Sequence, residues 1–287
     1  MPKTVTVDFW DVLDLEGNPF DLLPIIQAAG EAQLSERMRP RWAGQIDYLA
    51  EVFPNRSNVS GTAALIRTEN WPGKVNTVTG SLNALGLAEN EEVREDMSFH
   101  FDRSLQTLVT QRQQFFRASR LTALLQEITR AQFVISPKLR RDAYQRFRGM
   151  TRIAKVEIKV RGPLNDPDFA RTVPAMAGFI DDATQEWHAM EVALSLSMGQ
   201  AKAQSLDRPI MQRIVNFFRR DDNAKSLVVS GNHGDGPPEF VDFINDRLIF
   251  SGKVEYSESG KQLDRVRCRQ LLAEAIETQR SYLTSRL

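Results

Sequence analysis

Apolar and polar residues along the chain follow two different periods, and each period predicts one type of element. Alternation at every second residue, bounded by turn-forming residues, is typical of strands. It predicts strands over residues 4–12, 45–53, 62–68, 97–101, 105–110, 133–135, 152–161, 191–198, 225–230, 240–244 and 248–256. Apolar residues at helical spacing, together with capping residues, predict helices. These lie over residues 19–29, 119–128, 138–149, 175–187, 206–219 and 263–283, with a short helix near Leu82.

The order of these elements predicts an α+β fold with two domains. At 287 residues, the chain exceeds the size at which a single core stops growing. The order strand–helix–strand–helix from 152 to 219 predicts a small βαβα domain of the split βαβ type at residues 151–222. We expect this domain to interrupt a main α+β domain with a mixed sheet, formed by residues 1–150 and 223–287.

The strand predicted at 152–161 has the clearest alternation. One face is expected to point to the core and carries Ala154, Val156, Ile158 and Val160. The other face is expected to be polar and carries Lys155, Glu157, Lys159 and Arg161.

Charge is concentrated in one part of the chain. The formal net charge is zero, but residues 103–161 hold fourteen Lys and Arg against three acids, a net charge of +11. Residues 1–102 carry −8 and residues 162–287 carry −3. A concentrated basic segment attracts polyanions, and nucleic acid is therefore the leading class of partner.

A stripe of basic side chains in this segment is the candidate binding site. We expect it to contact the phosphates of double-stranded DNA, because each neutralised phosphate releases counterions. No zinc finger, recognition-helix pattern or aromatic RNA motif accompanies the stripe, and binding without base preference is expected. The candidate residues are Arg112, Arg117, Arg120, Arg140, Arg141, Arg148, Lys155, Lys159 and Arg161.

Two alternatives stay open. The basic face could instead dock on the acidic N-terminal region or on an acidic partner, which would make the protein an interaction module. Glu157 and Lys159 also form an E-x-K on a strand, the arrangement of restriction-type metal-dependent nucleases. That chemistry needs a second acid, and the preceding region offers only Asp142 on a predicted helix.

The remaining chemistry is sparse, so we predict no enzymatic activity, no cofactor and no metal. Cys268 is the single cysteine and has no partner for a disulfide. His100 lies between two phenylalanines and is expected to be a half-buried sheet histidine. No stretch approaches the roughly 20 apolar residues of a membrane span, and the N-terminal residues lack the apolar core of a signal peptide. A cytoplasmic location is expected.

Three segments resemble a family of phage-exclusion proteins. They are FVISPKLRRDAYQRF, TRIAKVEIKVRG and FVDFINDRLIFSGKVEYSESGKQLDRVRCRQLLAEAIETQRSYL. Together with their order over about 190 residues, they are similar to the lambdoid exclusion protein RexA and to bacterial defence proteins such as the DNA-binding subunit of the Kiwa system. The resemblance implies a homodimeric, sequence-nonspecific DNA-binding protein with a mobile small domain, acting in phage exclusion. It also implies a membrane effector encoded nearby.

Overall fold

The computed structural model divides the chain into two compact units. The first unit contains residues 1–135 and 249–287, and the second, here called the inserted unit, contains residues 136–248. The structure describes residues 2–41, 44–69, 74–75, 82–83, 92–161, 173–186, 188–199, 204–219, 221, 223–234, 239–257 and 262–285.

The first unit is built on one large sheet. In the order of their pairing, its seven main strands are β14 (Ile249–Val254), β1 (Lys3–Leu13), β8 (Thr107–Gln111), β7 (Val93–Asp102), β4 (Asn58–Arg67), β3 (Gln45–Pro54) and β2 (Met38–Pro40). All pairings along this order are antiparallel, whereas a mixed sheet was expected. The short strand β9 (Val134–Pro137) also pairs with β1.

Helices cover both faces of this sheet. Helices α1 (Leu23–Glu31) and α2 (Ala118–Thr129) bury apolar side chains against one face, where Phe99 and Phe101 of β7 are fully buried. The residues that alternate with these phenylalanines point to the opposite face. Helix α6 (Arg265–Thr284) lies on that face, since its Arg280 donates a hydrogen bond to the Asp102 carboxylate.

The inserted unit has a four-stranded antiparallel sheet with helices on one face. The strand order is β11 (Val192–Ser197), β10 (Arg152–Val160), β12 (Ala224–Asn232) and β13 (Glu239–Asp242). Its helices are α3 (Arg141–Gly149), α4 (Pro174–Gln185) and α5 (Arg208–Phe218). Their apolar residues form one core with the inward side chains of β10 and β12. The opposite face of the sheet is the open face.

The α+β class is confirmed, but several predicted details are different. The insertion is larger than residues 151–222, because α3 packs on β13 and because β12 and β13 complete the sheet of the inserted unit. Strands β10 and β11 are adjacent and antiparallel, so the helix between them does not join parallel strands as it does in a split βαβ unit. The helix expected near Leu82 is wrong: Leu82–Asn83 is strand β6, paired with β5 (Lys74–Val75).

Candidate nucleic-acid interface

The nine predicted DNA-binding residues divide between the two units. Arg112, Arg117 and Arg120 belong to the first unit. The other six belong to the inserted unit, on α3, on β10 and directly beside them: Arg140, Arg141, Arg148, Lys155, Lys159 and Arg161.

The arginines of the first unit contact acids of the N-terminal region. Arg112 donates to the Asp8 carboxylate through Nε at 2.9 Å, and Arg120 Nη2 lies 2.8 Å from Asp47 Oδ1. Arg117 is half-buried at the N-cap of α2. For Arg112 and Arg120, the structure therefore agrees with the alternative of a basic face that is docked on the protein's own acids.

The polar face of β10 was predicted correctly, but its lysines have acidic partners. Val156, Ile158 and Val160 are buried, and the side chains between them point to the open face. Lys155 Nζ lies 2.8 Å from Glu157 Oε1, and Lys159 Nζ lies 2.8 Å from Glu191 Oε1. Exposed pairs of this kind contribute only about 0–1 kcal/mol, yet each lysine charge is balanced locally. Arg161 is exposed just beyond the strand.

The neighbours of Glu157 do not complete a two-acid nuclease site. In the sheet, Glu157 lies opposite Ser195 on β11 and Val228 on β12, and neither residue is an acid. Among the residues that the structure describes, no group of three or more His, Cys, Asp or Glu side chains could hold a metal ion. Asp142, the second acid considered from the sequence, has a side chain outside the described residues.

A cluster of arginines surrounds Tyr144, where α3 and α5 meet. The guanidinium carbon of Arg148 lies 4.6 Å from the centre of the Tyr144 ring, and that of Arg219 lies 5.6 Å from it. Gln212 of α5 donates a hydrogen bond to the Tyr144 hydroxyl at 3.2 Å. We call Arg148, Arg208, Arg219 and Arg247 the arginine cluster.

Main-chain oxygens hold the other two members of the cluster. Arg208 donates to the carbonyl oxygens of Arg148, at 3.3 Å, and of Met150. These oxygens lie at the C-terminus of α3, where helical carbonyls lack partners and the helix dipole favours a cation. Arg247 donates to the carbonyl oxygen of Arg219 at 2.7 Å. The cluster is therefore joined by hydrogen bonds and by contacts with one aromatic ring.

The partners of Arg148 and Arg208 leave their charges uncompensated. Within the described part of the chain, these two side chains contact an aromatic ring and carbonyl oxygens, which carry no net charge. Arg148 is exposed. Cation–π contacts and hydrogen bonds to carbonyls orient a guanidinium without neutralising it. Arg148 thus presents a fixed positive charge to solvent, unlike Lys155 and Lys159.

Arg140 extends the positive surface at the other end of α3. It is the N-cap residue and is exposed, and its main-chain N–H donates to the Asp246 carbonyl. The preceding residue, Leu139, forms a β-bridge with Arg247 of the cluster. Arg141 lies in α3, but its side chain is outside the described residues. Two of the predicted residues, Arg140 and Arg148, are therefore close to arginines that the sequence did not single out.

Arg208, Arg219 and Arg247 were missed because they lie outside the +11 segment. They belong to a region with a net negative charge, and charge counting along the chain passes over them. A weak signal was present on α5: Arg208, Gln212 and Arg219 are spaced by four and seven residues, which places them on one face of a helix. Only the packing of α5 beside α3 brings that face to Tyr144.

The comparison with protein-family models covers nearly the whole chain. Residues 3–269 match a family described as "Family of unknown function (DUF6731)". The chain belongs to the DUF6731 family. No curated protein matches it.

The described residues of this DUF6731 member include no helix that is long and apolar enough to cross a membrane. Helix α6 is the longest that they form, with 20 residues. It carries charged residues along its length and contacts the face of the first sheet that lies opposite α1 and α2. One of these contacts is near His100 on β7, which is a sheet histidine as expected but is buried rather than half-buried.

The surroundings of His100 are polar and closely packed. Its Nδ1 atom lies 2.7 Å from Ser60 Oγ. Burial lowers the pKa of His100, against the opposing effect of the Asp102 and Glu277 carboxylates. Arg280 of α6 contacts both of these acids. The histidine of this DUF6731 chain is thus part of a buried polar layer beneath α6.

Proposed function

We propose that this protein binds the phosphate backbone of double-stranded DNA, without base preference, through the arginine cluster and Arg140 of the inserted unit. The observation that carries the proposal is that, among the residues that the structure describes, the groups in contact with Arg148 and Arg208 are an aromatic ring and carbonyl oxygens. Cations that are held by an aromatic ring and by carbonyl oxygens keep the charge that a phosphate needs. The lysines of β10 are paired with Glu157 and Glu191, and the proposed interface does not include them.

The chemistry of the cluster suits phosphate oxygens. A guanidinium is planar, always charged, and donates in a fork that matches two phosphate oxygens. Arg148 is held over the Tyr144 ring, so less side-chain freedom is lost when it meets an anion. Contacts to phosphate fix the position of a protein on the duplex but carry no sequence information. Binding without base preference follows from this type of contact.

A double variant with a matched control tests the proposal. Arg140 and Arg148 are exposed, so Arg140→Ala together with Arg148→Ala removes two cations while preserving the core. Lys155→Ala together with Lys159→Ala is the control, because it removes two lysines whose charges are already balanced. Each lost phosphate contact lowers the slope of log K against log salt by about 0.9. We expect the arginine variant to lower the slope by nearly 2 and the lysine variant to change it little.

Fluorescence anisotropy with two duplexes of unrelated sequence is the measurement. For about three phosphate contacts, the affinity of the wild type should fall by about 40-fold between 50 and 200 mM salt. Both duplexes should bind equally well, and both should weaken equally in the arginine variant. If the arginine variant binds with wild-type affinity and salt slope, the assignment of DNA binding to this surface is overturned.

The resemblance to phage-exclusion proteins supports three further expectations. They are a homodimer, a role in phage exclusion or antiviral defence, and a membrane effector as partner. Light scattering on the purified protein tests the first. Plaque counts on cells with and without the gene, and with and without its neighbour, test the other two.

A further inference from the structure

The open face of the inserted unit's sheet contains a depression of about 300 Å³. It lies over β10 and its two neighbours, and side chains from two adjacent rows of the sheet line it. In one row, Glu157 lies opposite Ser195 and Val228; in the next, Lys159 lies opposite Ala193 and Ser226. Residues that are opposite each other on paired strands share a face. The depression thus has one carboxylate, one ammonium group, two hydroxyls and a small apolar surface.

The depression lies between Glu157 and Lys159, whose ion-pair partners are in opposite directions along β10. Glu157 pairs with Lys155, two residues before it on the strand. Lys159 pairs with Glu191, the residue before Val192, and Val192 lies opposite Val160 at the end of β10. Neighbouring side chains of opposite charge on one face of a strand would otherwise be free to meet. Here each of the two side chains points toward its own partner and away from the other, which leaves the depression between them.

We propose that this depression binds a small zwitterion of the free amino-acid type. Lys159 and the Ser226 hydroxyl would bind its carboxylate, and Glu157 and the Ser195 hydroxyl would bind its ammonium group. Ala193 and Val228 would contact a small apolar side chain. The volume lies at the lower end of the range for small-molecule sites.

The balance of charge distinguishes this ligand from others. A phosphate-rich polymer would meet the Glu157 carboxylate, which repels it. A purely apolar ligand would cover both ion pairs and exclude water from them without offering a hydrogen bond in return. The two surface ion pairs are about half exposed, so exchanging either partner for a ligand group costs little. A molecule with an ammonium group and a carboxylate can pair with Glu157 in one row and with Lys159 in the next.

Calorimetric titration of the whole protein tests the inference. The twenty proteinogenic amino acids are titrated singly, and the tightest binder is then compared with its N-acetyl and carboxamide derivatives. Each derivative removes one of the two charges. We expect each to bind about tenfold more weakly, since a hydrogen bond to a charged group is lost. Glu157→Gln should weaken the free amino acid about as much as acetylation does, and Lys159→Gln about as much as amidation.

Lys225→Gln is the matched control variant. Lys225 is an exposed lysine of β12 that does not line the depression, so the variant should bind like the wild type. The inference is overturned if no amino acid binds, if the derivatives bind as well as the parent, or if acetate binds as tightly as the amino acid. DNA affinity, measured on the same variants, should not change, so a failure here is separate from a failure of the DNA-binding proposal.

Discussion

Replacing Asp47 by alanine should destabilise the first unit strongly. Asp47 is on β3, and its side chain is only 1% exposed. Two arginines hold its carboxylate: Arg41 Nε lies 2.7 Å from Oδ2, and Arg120 Nη2 lies 2.8 Å from Oδ1. Their side chains are 23% and 27% exposed. Removing the acid leaves two largely buried cations without their central partner.

The expected magnitude follows from this burial. Breaking a buried ion pair by removing one partner costs about 3–5 kcal/mol. Here the remaining cations keep some contacts, because Arg41 also meets Glu127 and Arg120 also meets Gln45. We therefore expect about 3 kcal/mol, at the lower end of that range. For a unit of this size, this corresponds to a fall of about 6–12 °C in the melting temperature.

Glu127→Ala is the matched control. Glu127 lies 2.7 Å from the same Arg41, but its side chain is 38% exposed. Partly exposed pairs contribute at most about 1 kcal/mol, so the melting temperature should fall by less than about 4 °C. Thermal unfolding followed by circular dichroism measures both variants.

A third variant separates charge from packing. Asp47→Asn keeps the volume of the side chain and removes its charge. If electrostatics dominates, it should behave like Asp47→Ala; if packing dominates, it should be close to the wild type. Equal shifts for Asp47→Ala and Glu127→Ala would refute the argument from burial.

Three further predictions concern other parts of the fold. Gly61→Ala should lower the free energy of unfolding by about 1–3 kcal/mol, because an added Cβ would lie 2.3 Å from the Phe99 ring. Gly178→Ala in α4, where an added Cβ would have nothing within 4 Å, should instead raise it by about 0.5–1 kcal/mol. Burial lowers the pKa of His100 from 6.5, so the stability that the neutral imidazole contributes is present above pH 6.5 and is lost as the pH falls below it. Lowering the pH from 7 to 5 should therefore reduce the free energy of unfolding, measured by chemical denaturation, more in the wild type than in His100→Gln. Equal reductions in the two proteins would contradict this. Burial raises the pKa of the Cys268 thiol to about 11, so a disulfide reagent at pH 8 should label it slowly in the native protein and quickly in urea.

Local pattern predicted most elements because it reflects which side of an element is buried. The alternation in 152–161 predicted strand β10 and its two faces from Lys155 onward. Near the start of the strand the register shifts, and Ile153 is buried instead of the predicted Ala154. Helical spacing in 119–128 predicted α2 within one residue at each end. The element near Leu82 and the pairing of β10 with β11 were not predicted correctly. Strand order and direction depend on contacts between distant residues, which no local period records.

The residues of the candidate site, too, could be predicted only in part. Charge counting found Arg140 and Arg148, which are exposed cations on or beside α3. It also selected Arg112 and Arg120, because it could not see that Asp8 and Asp47 would be next to them. Nor could it include Arg208 and the other cluster members from a region that is acidic on average.

The α+β class, most of the strands and helices, the presence of an insertion and the position of the basic segment could all be predicted from the residues in order. These properties depend on neighbours along the chain, through the periods of side-chain burial and the count of charges. Contacts between distant residues set the rest. They fix which cations are neutralised, bring α3 and α5 together in the arginine cluster around Tyr144, and place the depression between Glu157 and Lys159. Hydrogen bonds need contact and ion-pair energies weaken with distance in space, and folding sets those distances independently of separation in sequence.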